Sequence, residues 1–245
     1  MSNYIKLIVV IFFSFFLSPV KFYRQYVLKQ DLANFSDKEI LKYVSDLPGY
    51  IIEAGAWDGK DTARLLDLFP KSKVICFEPM PEMFAYLSTN FLDQRQRVKI
   101  INRALTSSPL NELKFTYSSN LNPSGSLNTP VLHKNFPGKT NFNKEVMVKT
   151  YNLNRIFIDE PIDVVNLLWL DVQGSELEII KTLEEVHLKK IRFIHLEVSK
   201  VQLYRNQPKE RDIVAYLKSK GFIVVARTVP ILSGNVLFMN SALLK

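Results

Sequence analysis

The chain has one cysteine, Cys76, in 245 residues. A single thiol excludes an intrachain disulfide and any cysteine-rich metal site. It lies in the apolar run Val74-Ile-Cys-Phe77, where a free cysteine packs as a small hydrophobe. A block of five or six like charges is also missing. The formal net charge is +8, from 32 Lys and Arg against 24 Asp and Glu, but the cations are scattered along the chain. Scattered cations solvate a surface without lining a track for a polyanion, so no nucleic-acid partner is expected. There is no internal repeat. No G-x-G-x-x-G follows an apolar run, which argues against a pyrophosphate-binding dehydrogenase.

What is present suits one α/β domain with a small appendage: 47% of residues are apolar and 23% charged. The appendage is N-terminal. Leu7–Val20 is apolar except for Ser14 and Ser18. As a helix it would span about 21 Å, short of the roughly 30 Å hydrocarbon core. Tyr4–Lys6 and Lys21–Tyr23, with their lysines reaching to the headgroups, extend it to about 20 residues. Residues 1–23 are therefore expected to form an uncleaved single-pass membrane anchor. A cleaved signal peptide and an interfacial or buried helix are the alternatives; the first lacks an A-x-A site. Lys21, Arg24 and Lys29 follow the segment, while Lys6 and the amino terminus precede it. That bias places the main domain in the cytoplasm.

Residues 24–48 read as a helical connector. Ser36-Asp-Lys-Glu39 is a capping-box pattern, and Leu47-Pro-Gly49 stops the helix. The remaining residues, 49–245, alternate strand and helix. Strands are expected at Tyr50–Ala54, Val74–Glu78, Val98–Asn102, Val164–Asp171, Ile191–Val198, Phe222–Arg227 and Val236–Met239. Helices are expected at Lys60–Phe69, Pro81–Phe91, Lys209–Lys220 and, after a second capping box at Ser175-Glu-Leu-Glu178, up to Leu183. Short apolar strands separated by helices imply a parallel sheet covered on both faces. Ser107–Thr150 differs. It is rich in Ser, Asn, Pro, Gly and Lys, holds two alternating segments at Leu113–Tyr117 and Glu145–Tyr151, and is expected to be a substrate-facing lid.

In such a sheet, ligands sit outside the carboxyl ends of the strands. The residues expected there are Glu53, Glu78, Asn102, Asp171 and Glu197. Four carboxylates at one edge crowd like charges unless a ligand or cation neutralises them. The segment Tyr50–Thr62 reads as strand, glycine-containing turn and helix, and a second strand ends in Glu78, 25 residues after Glu53. Glycines let backbone approach a ligand, and a strand-terminal acid accepts hydrogen bonds from ribose hydroxyls. An acid in the first turn suits a cationic group. Asp171, Glu176, His195 and Glu197 have no spacing that fixes a metal geometry, so no metal is expected.

Ile52-Glu-Ala-Gly-Ala-Trp-Asp-Gly59, Cys76-Phe-Glu-Pro79, Leu170-Asp-Val-Gln-Gly-Ser-Glu176 and His195-Leu-Glu197 resemble, in order and spacing, the successive motifs of FkbM-type methyltransferases. The resemblance runs from about Tyr50 to Val198. It implies the class I methyltransferase fold, a Rossmann-like doubly wound sheet of seven strands with the last antiparallel, and S-adenosylmethionine as cofactor. It also implies roles. Glu53 and Gly55, with Gly59 closing the turn, would lie against the methionine part. Glu78 would hold the ribose, and Asn102 to Ala104 would lie near the adenine. Asp171 would face the methyl group. Ser124-Gly-Ser-Leu127 is similar to a Ser-Leu element of the family and would bring Ser124 and Ser126 to the substrate, alongside Gln173, Glu176 and Glu197. Two positions depart from the family pattern: Glu53 replaces the more usual Asp, and Gln173 the more usual Glu.

The reaction implied is methyl transfer to a hydroxyl of a small-molecule, glycan or lipid-linked acceptor. The hydroxyl's proton must leave during attack, and Asp171 and His195 are the two candidate bases. Two other readings stay open on the sequence. One is a membrane-tethered cofactor-binding module without activity. The other is a different nucleotide-using enzyme, such as a reductase, on the same sheet.

Overall fold

The computed structural model describes residues 35–118, 124–131, 142–228 and 233–244. The expected anchor of residues 1–23, residues 24–34 of the connector, and parts of the expected lid lie outside them. Among the described residues no helix is long and apolar enough to cross a membrane.

Seven strands form the main sheet. They are β1 (Gly49–Ala54), β2 (Ser72–Phe77), β3 (Val98–Ile101), β7 (Val165–Leu170), β8 (Ile191–Ser199), β9 (Phe222–Arg227) and β10 (Ser233–Asn240). The order is β3-β2-β1-β7-β8-β10-β9. β1 pairs in parallel with both β2 and β7, whereas β10 runs antiparallel between β8 and β9. Ala104–Leu105 (β4), Glu112–Ser118 (β5) and Phe142–Tyr151 (β6) make a second sheet in the order β4-β6-β5. The two segments with alternating pattern in the middle of the chain are thus an antiparallel pair, with Phe115 opposite Val146.

The helices are α1 (Asp37–Leu41), α2 (Lys60–Leu68), α3 (Pro81–Asn90), α4 (Ile156–Asp159), α5 (Glu176–Lys181), α6 (Glu185–Leu188) and α7 (Glu210–Ser219). They cover both sheet faces, which is why the central strands are apolar without alternation; every residue of β7 except Asn166 is apolar, and all six are buried. The period-two geometry of β1 sends Ile51 to the face packed with Leu65, Phe69 and Val44, and Ile52 to the face packed with Leu177, Ile180 and Leu217. Burying each such side chain contributes roughly 1.5–3 kcal/mol.

The capping box expected at Ser36 forms: Ser36 Oγ accepts the Glu39 N–H, and Glu39 accepts the Ser36 N–H at 2.8 Å. The one expected at Ser175 does not. Ser175 makes no cap bond there. Glu176 turns back instead and accepts the Val172 and Gly174 N–H groups at 3.2 and 3.1 Å. The two side chains of the expected box are engaged elsewhere: Asn128 Nδ2 donates to Ser175 Oγ at 2.9 Å, and Glu178 pairs with Lys181 at 2.7 Å. The short elements β4, α4 and α6 were not expected; none is long enough to show a hydrophobic period.

The chain steps outward from β1 to β3, then returns to β7 on the other side of β1. That reversal opens a crevice at the carboxyl ends of β1 and β7.

Candidate active site

A cavity of about 350 Å³ occupies this crevice. The turn after β1 forms one wall. Gly55 has φ +90°, and a Cβ there would lie 2.0 Å from the Asp171 carbonyl oxygen, so only glycine fits. Trp57 is held at φ 44°, a left-handed conformation costly for a bulky residue. Its N–H donates to Glu78 Oε2 at 2.8 Å, while Glu78 Oε1 accepts the Met80 N–H at 2.8 Å. The Glu78 carboxylate therefore ties the β1–α2 turn to the β2–α3 turn. Burial pushes its pKa up to about 7, with the two amide bonds pulling the other way. Each oxygen keeps a second acceptor position for a ligand hydroxyl.

The other expected residues divide between cavity and support. Gly55, Glu78, Ala104 and Asp171 line the cavity. Asn102 does not; its Nδ2 donates to the Glu78 and Pro79 carbonyls at 2.9 and 3.1 Å, bracing the turn that carries Glu78. Gly59 is the N-cap of α2, at φ 74°, and a Cβ there would meet Leu87 at 2.6 Å, so it permits α2 and α3 to approach. Glu53 is also absent from the lining. Its side chain points to α2, where Thr62 Oγ1 donates to Oε2 at 2.6 Å. Its Oε1 has no hydrogen-bond partner, and burial pushes the pKa up to about 8. The alternation of β1 explains this, since Ala54 and Glu53 must face opposite sides.

His195 lies elsewhere too. Register sets it beside Trp169 in the next strand, on the α1–α2 face of the sheet. Its ring stacks on Trp169 at 3.5 Å and meets Phe35 edge-on at 5.7 Å. Burial, then the Arg64 charge, push its pKa down to about 3. This corrects the expectation that it stands beside Asp171 as a base: it is a neutral core histidine that does not reach the cavity.

Asp171 does reach it. Its N–H donates to the Ala54 carbonyl at 3.0 Å, which seats it at the crevice. Burial raises its pKa. Gln173 Nε2 donates to Asp171 Oδ1 at 2.5 Å and to Glu197 Oε2 at 3.0 Å. Gln173 Oε1 faces the Tyr204 hydroxyl at 2.8 Å, and that hydroxyl also lies 2.9 Å from the Ser124 carbonyl. Ser126 Oγ donates to the Gln173 carbonyl at 2.9 Å. Ser124, Ser126, Gln173, Glu176 and Glu197 are thus a scaffold behind Asp171, outside the lining itself. Among the described residues no His, Cys, Asp or Glu cluster could hold a metal ion.

Sequence reading missed two kinds of residue. Met80, Leu105 and Phe115 supply an apolar wall, drawn partly from the second sheet, and Arg103 and Leu127, both within segments the sequence reading named, join it. Tyr204 sits in a polar loop and carries no motif. Only its aromatic character in Val201-Gln-Leu-Tyr204 hinted at burial, which is nearly complete.

The strand order, the antiparallel β10 and an acid-rimmed crevice at the β1/β7 ends define a class I methyltransferase. The chain belongs to the methyltransferase FkbM domain family, whose model matches residues 53–224. It is 30% identical over 212 residues to the 2-O-methyltransferase NoeI of Sinorhizobium fredii (strain NBRC 101917 / NGR234), covering 84% of this chain and 85% of that one. It is 27% identical over 226 residues to the methyltransferase sdnD of Sordaria araneosa, covering 80% and 85%. Among solved structures, Aeropyrum pernix fibrillarin with natively bound S-adenosyl-L-methionine aligns with TM-score 0.45 and 12% identity, over 82% of this chain and 72% of that one. The protein is an S-adenosylmethionine-dependent methyltransferase.

The lining suits that cofactor. Asp61 and Asp171 offer negative charge to a sulfonium and an ammonium, Glu78 offers acceptors to a ribose, and Phe77, Met80, Leu105 and Leu127 offer apolar surface to a purine.

Proposed function

We propose that the protein methylates a hydroxyl group on a small-molecule, glycan or lipid-linked acceptor, with Asp171 as general base. The observation that carries this reading is the placement of Asp171: a carboxylate at the end of β7, facing the cavity, against the glycine backbone of the first turn. That the relative from Sinorhizobium fredii is a 2-O-methyltransferase supports an oxygen acceptor.

When bound, the cofactor supplies a methyl group already activated on a positively charged sulfur. The protein's own work is alignment and proton removal. The Gly55–Trp57 backbone and Glu78 position the nucleoside, and the Arg103–Leu105 segment flanks the base. Asp171 takes the acceptor's proton as its oxygen attacks.

The division into residues 1–23, 24–48 and 49–245, with residues 107–150 setting acceptor choice, belongs to the same proposal. So does the membrane anchor, which rests on the apolar run Leu7–Val20 and would bring the domain, on the cytoplasmic side, to a membrane-proximal acceptor.

The test is single-turnover transfer of labelled methyl to glycan and lipid extracts, with wild type and Asp171→Asn. The variant should bind S-adenosylhomocysteine nearly as well and transfer methyl on the order of 10² to 10⁴ times more slowly. Equal transfer would remove Asp171 from the mechanism.

A further inference from the structure

Asp171 is not an isolated carboxylate. Register places Leu170 beside Leu196 across β7 and β8, so residues 171 and 197 emerge side by side from adjacent strands. The Gln173 amide bridges their carboxyls, donating to Asp171 Oδ1 at 2.5 Å and to Glu197 Oε2 at 3.0 Å. Two carboxyls gripped by one nitrogen crowd like charges, which favours one proton on the pair over two full negative charges. Gln173 can grip both because its backbone is held at φ 55° and its Oε1 is turned to Tyr204.

The charged groups facing the pair add to its negative potential. Asp61 of α2 acts on Asp171 and Glu176 of α5 acts on Glu197, Tyr204 packs beside them, and Glu53 of β1, also near Asp171, is protonated near pH 7 and adds no charge. The cations lining the cavity are engaged elsewhere: Lys60 pairs with Asp58 at 2.6 Å, and Arg103 donates to the Thr150 carbonyl at 3.2 Å.

We propose that Asp171 and Glu197 act as one unit, gripped by Gln173, which holds a single proton at rest, releases it when positive charge enters the cavity, and takes one back from the acceptor hydroxyl. The inference rests on the methyl-transfer reading above and assigns Glu197 and Gln173 as positioning residues. Burial, then the neighbouring acids Asp171 and Glu176, hold the Glu197 carboxyl well above the usual carboxylate range, so the proton rests on Glu197. A second positive charge a few ångströms away favours the doubly ionised pair.

The cycle balances. The pair loses one proton to solvent as the cationic cofactor binds. The acceptor O–H bond then breaks toward Asp171, its electron pair forming the new O–C bond, while the pair of the cleaved C–S bond stays on sulfur. The unit ends with one proton beside a neutral thioether, its resting state. The proton produced by the overall reaction therefore leaves at the binding step and not at the chemical step.

The test is calorimetry of the whole protein near pH 7 in buffers of different ionisation heat, which counts protons exchanged on binding S-adenosylmethionine and, separately, S-adenosylhomocysteine. Wild type should release up to one proton more with the charged ligand than with the neutral one. Glu197→Gln should lose that difference while still binding both. If Glu197→Gln does not fold, Asp171→Asn, which also breaks the pair, should lose it. Equal proton counts for the two ligands in wild type, or an undiminished difference in the variants, would overturn the proposal. Absence of binding heat with either ligand would instead defeat the underlying cofactor-site reading.

Discussion

Glu78 accepts the backbone N–H of Trp57 at 2.8 Å, so the acid at the end of β2 sets the shape of the turn after β1. A residue chosen for a ligand also folds the site that receives it. Trp57 stays in a left-handed conformation because this bond and the packing of the cavity wall hold it there.

Removing that carboxylate should cost both binding and stability. Glu78→Ala leaves two N–H groups, those of Trp57 and Met80, without their acceptor. Each buried orphan costs about 1–3 kcal/mol. Denaturant unfolding should show a loss of that order, and S-adenosylhomocysteine should no longer raise the melting temperature. A variant that keeps the full ligand-induced shift would separate Glu78 from the cofactor.

Gly55→Ala tests the close approach of the first turn to β7. The added methyl would lie 2.0 Å from the Asp171 carbonyl oxygen, so backbone must move. The expected result is a folded protein, less stable by on the order of 1–3 kcal/mol, with cofactor affinity reduced at least tenfold by titration calorimetry. Unchanged affinity would show that the crevice does not depend on this contact.

Glu53 gives a pH-dependent prediction with a definite sign. Its folded pKa, about 8, lies above the ordinary glutamate value of 4.5. The folded state therefore binds more protons than the unfolded state between those values, and stability falls as pH rises through that window. Glu53→Gln keeps the Thr62 hydroxyl satisfied and cannot ionise. It should be close to wild type at pH 4.5 and more stable by on the order of 1–3 kcal/mol at pH 8.5, read from chemical denaturation at both values. Greater stability of wild type at pH 8.5 would refute the buried, protonated state.

Gln173→Glu restores the residue more usual in the family and removes the donor that bridges two carboxyls. Three acids would then converge on one point. The new carboxyl should be protonated at low pH and ionised at high pH, with its folded pKa raised by the neighbours. The variant should therefore resemble wild type near pH 5 and lose stability progressively as pH rises through 7 and 8. Thermal melts across that range check it; a pH-independent difference would mean that the bridge matters for shape alone.

Much of the fold was legible because apolar runs of five to eight residues have few alternatives. Val165–Leu170, buried along its whole length, could only be an interior strand, and Pro81 at the start of α3 marked a helix entry. That Leu113–Tyr117 and Glu145–Tyr151 are strands was also visible in their alternation; their antiparallel pairing came from the structure. The cap at Ser175 was not, because a Ser-x-x-Glu pattern cannot report that Asn128 will engage the serine hydroxyl and Lys181 the Glu178 carboxylate.

The candidate site was legible as a set of strand ends and illegible as a set of orientations. Asp171, Glu78 and Gly55 stand where their positions in the motifs put them. Glu53 and His195 sit in equally suggestive motifs, yet both face the α1–α2 layer. Being one residue from a strand's end decides which side a carboxylate points to, and no motif carries that phase with certainty.

The chain's own order of apolar runs, turns and acids determined that this is a doubly wound methyltransferase with carboxylates at one sheet edge, because strand length, helix period and turn chemistry are local properties of sequence. Only the folded structure decided that Asp171 is joined to Glu197 through Gln173, that Tyr204 braces that amide, and that His195 is shut away behind Trp169. Those relationships depend on strand register and on contacts between residues up to 80 positions apart, as with Tyr204 and Ser124, and local pattern contains no record of either.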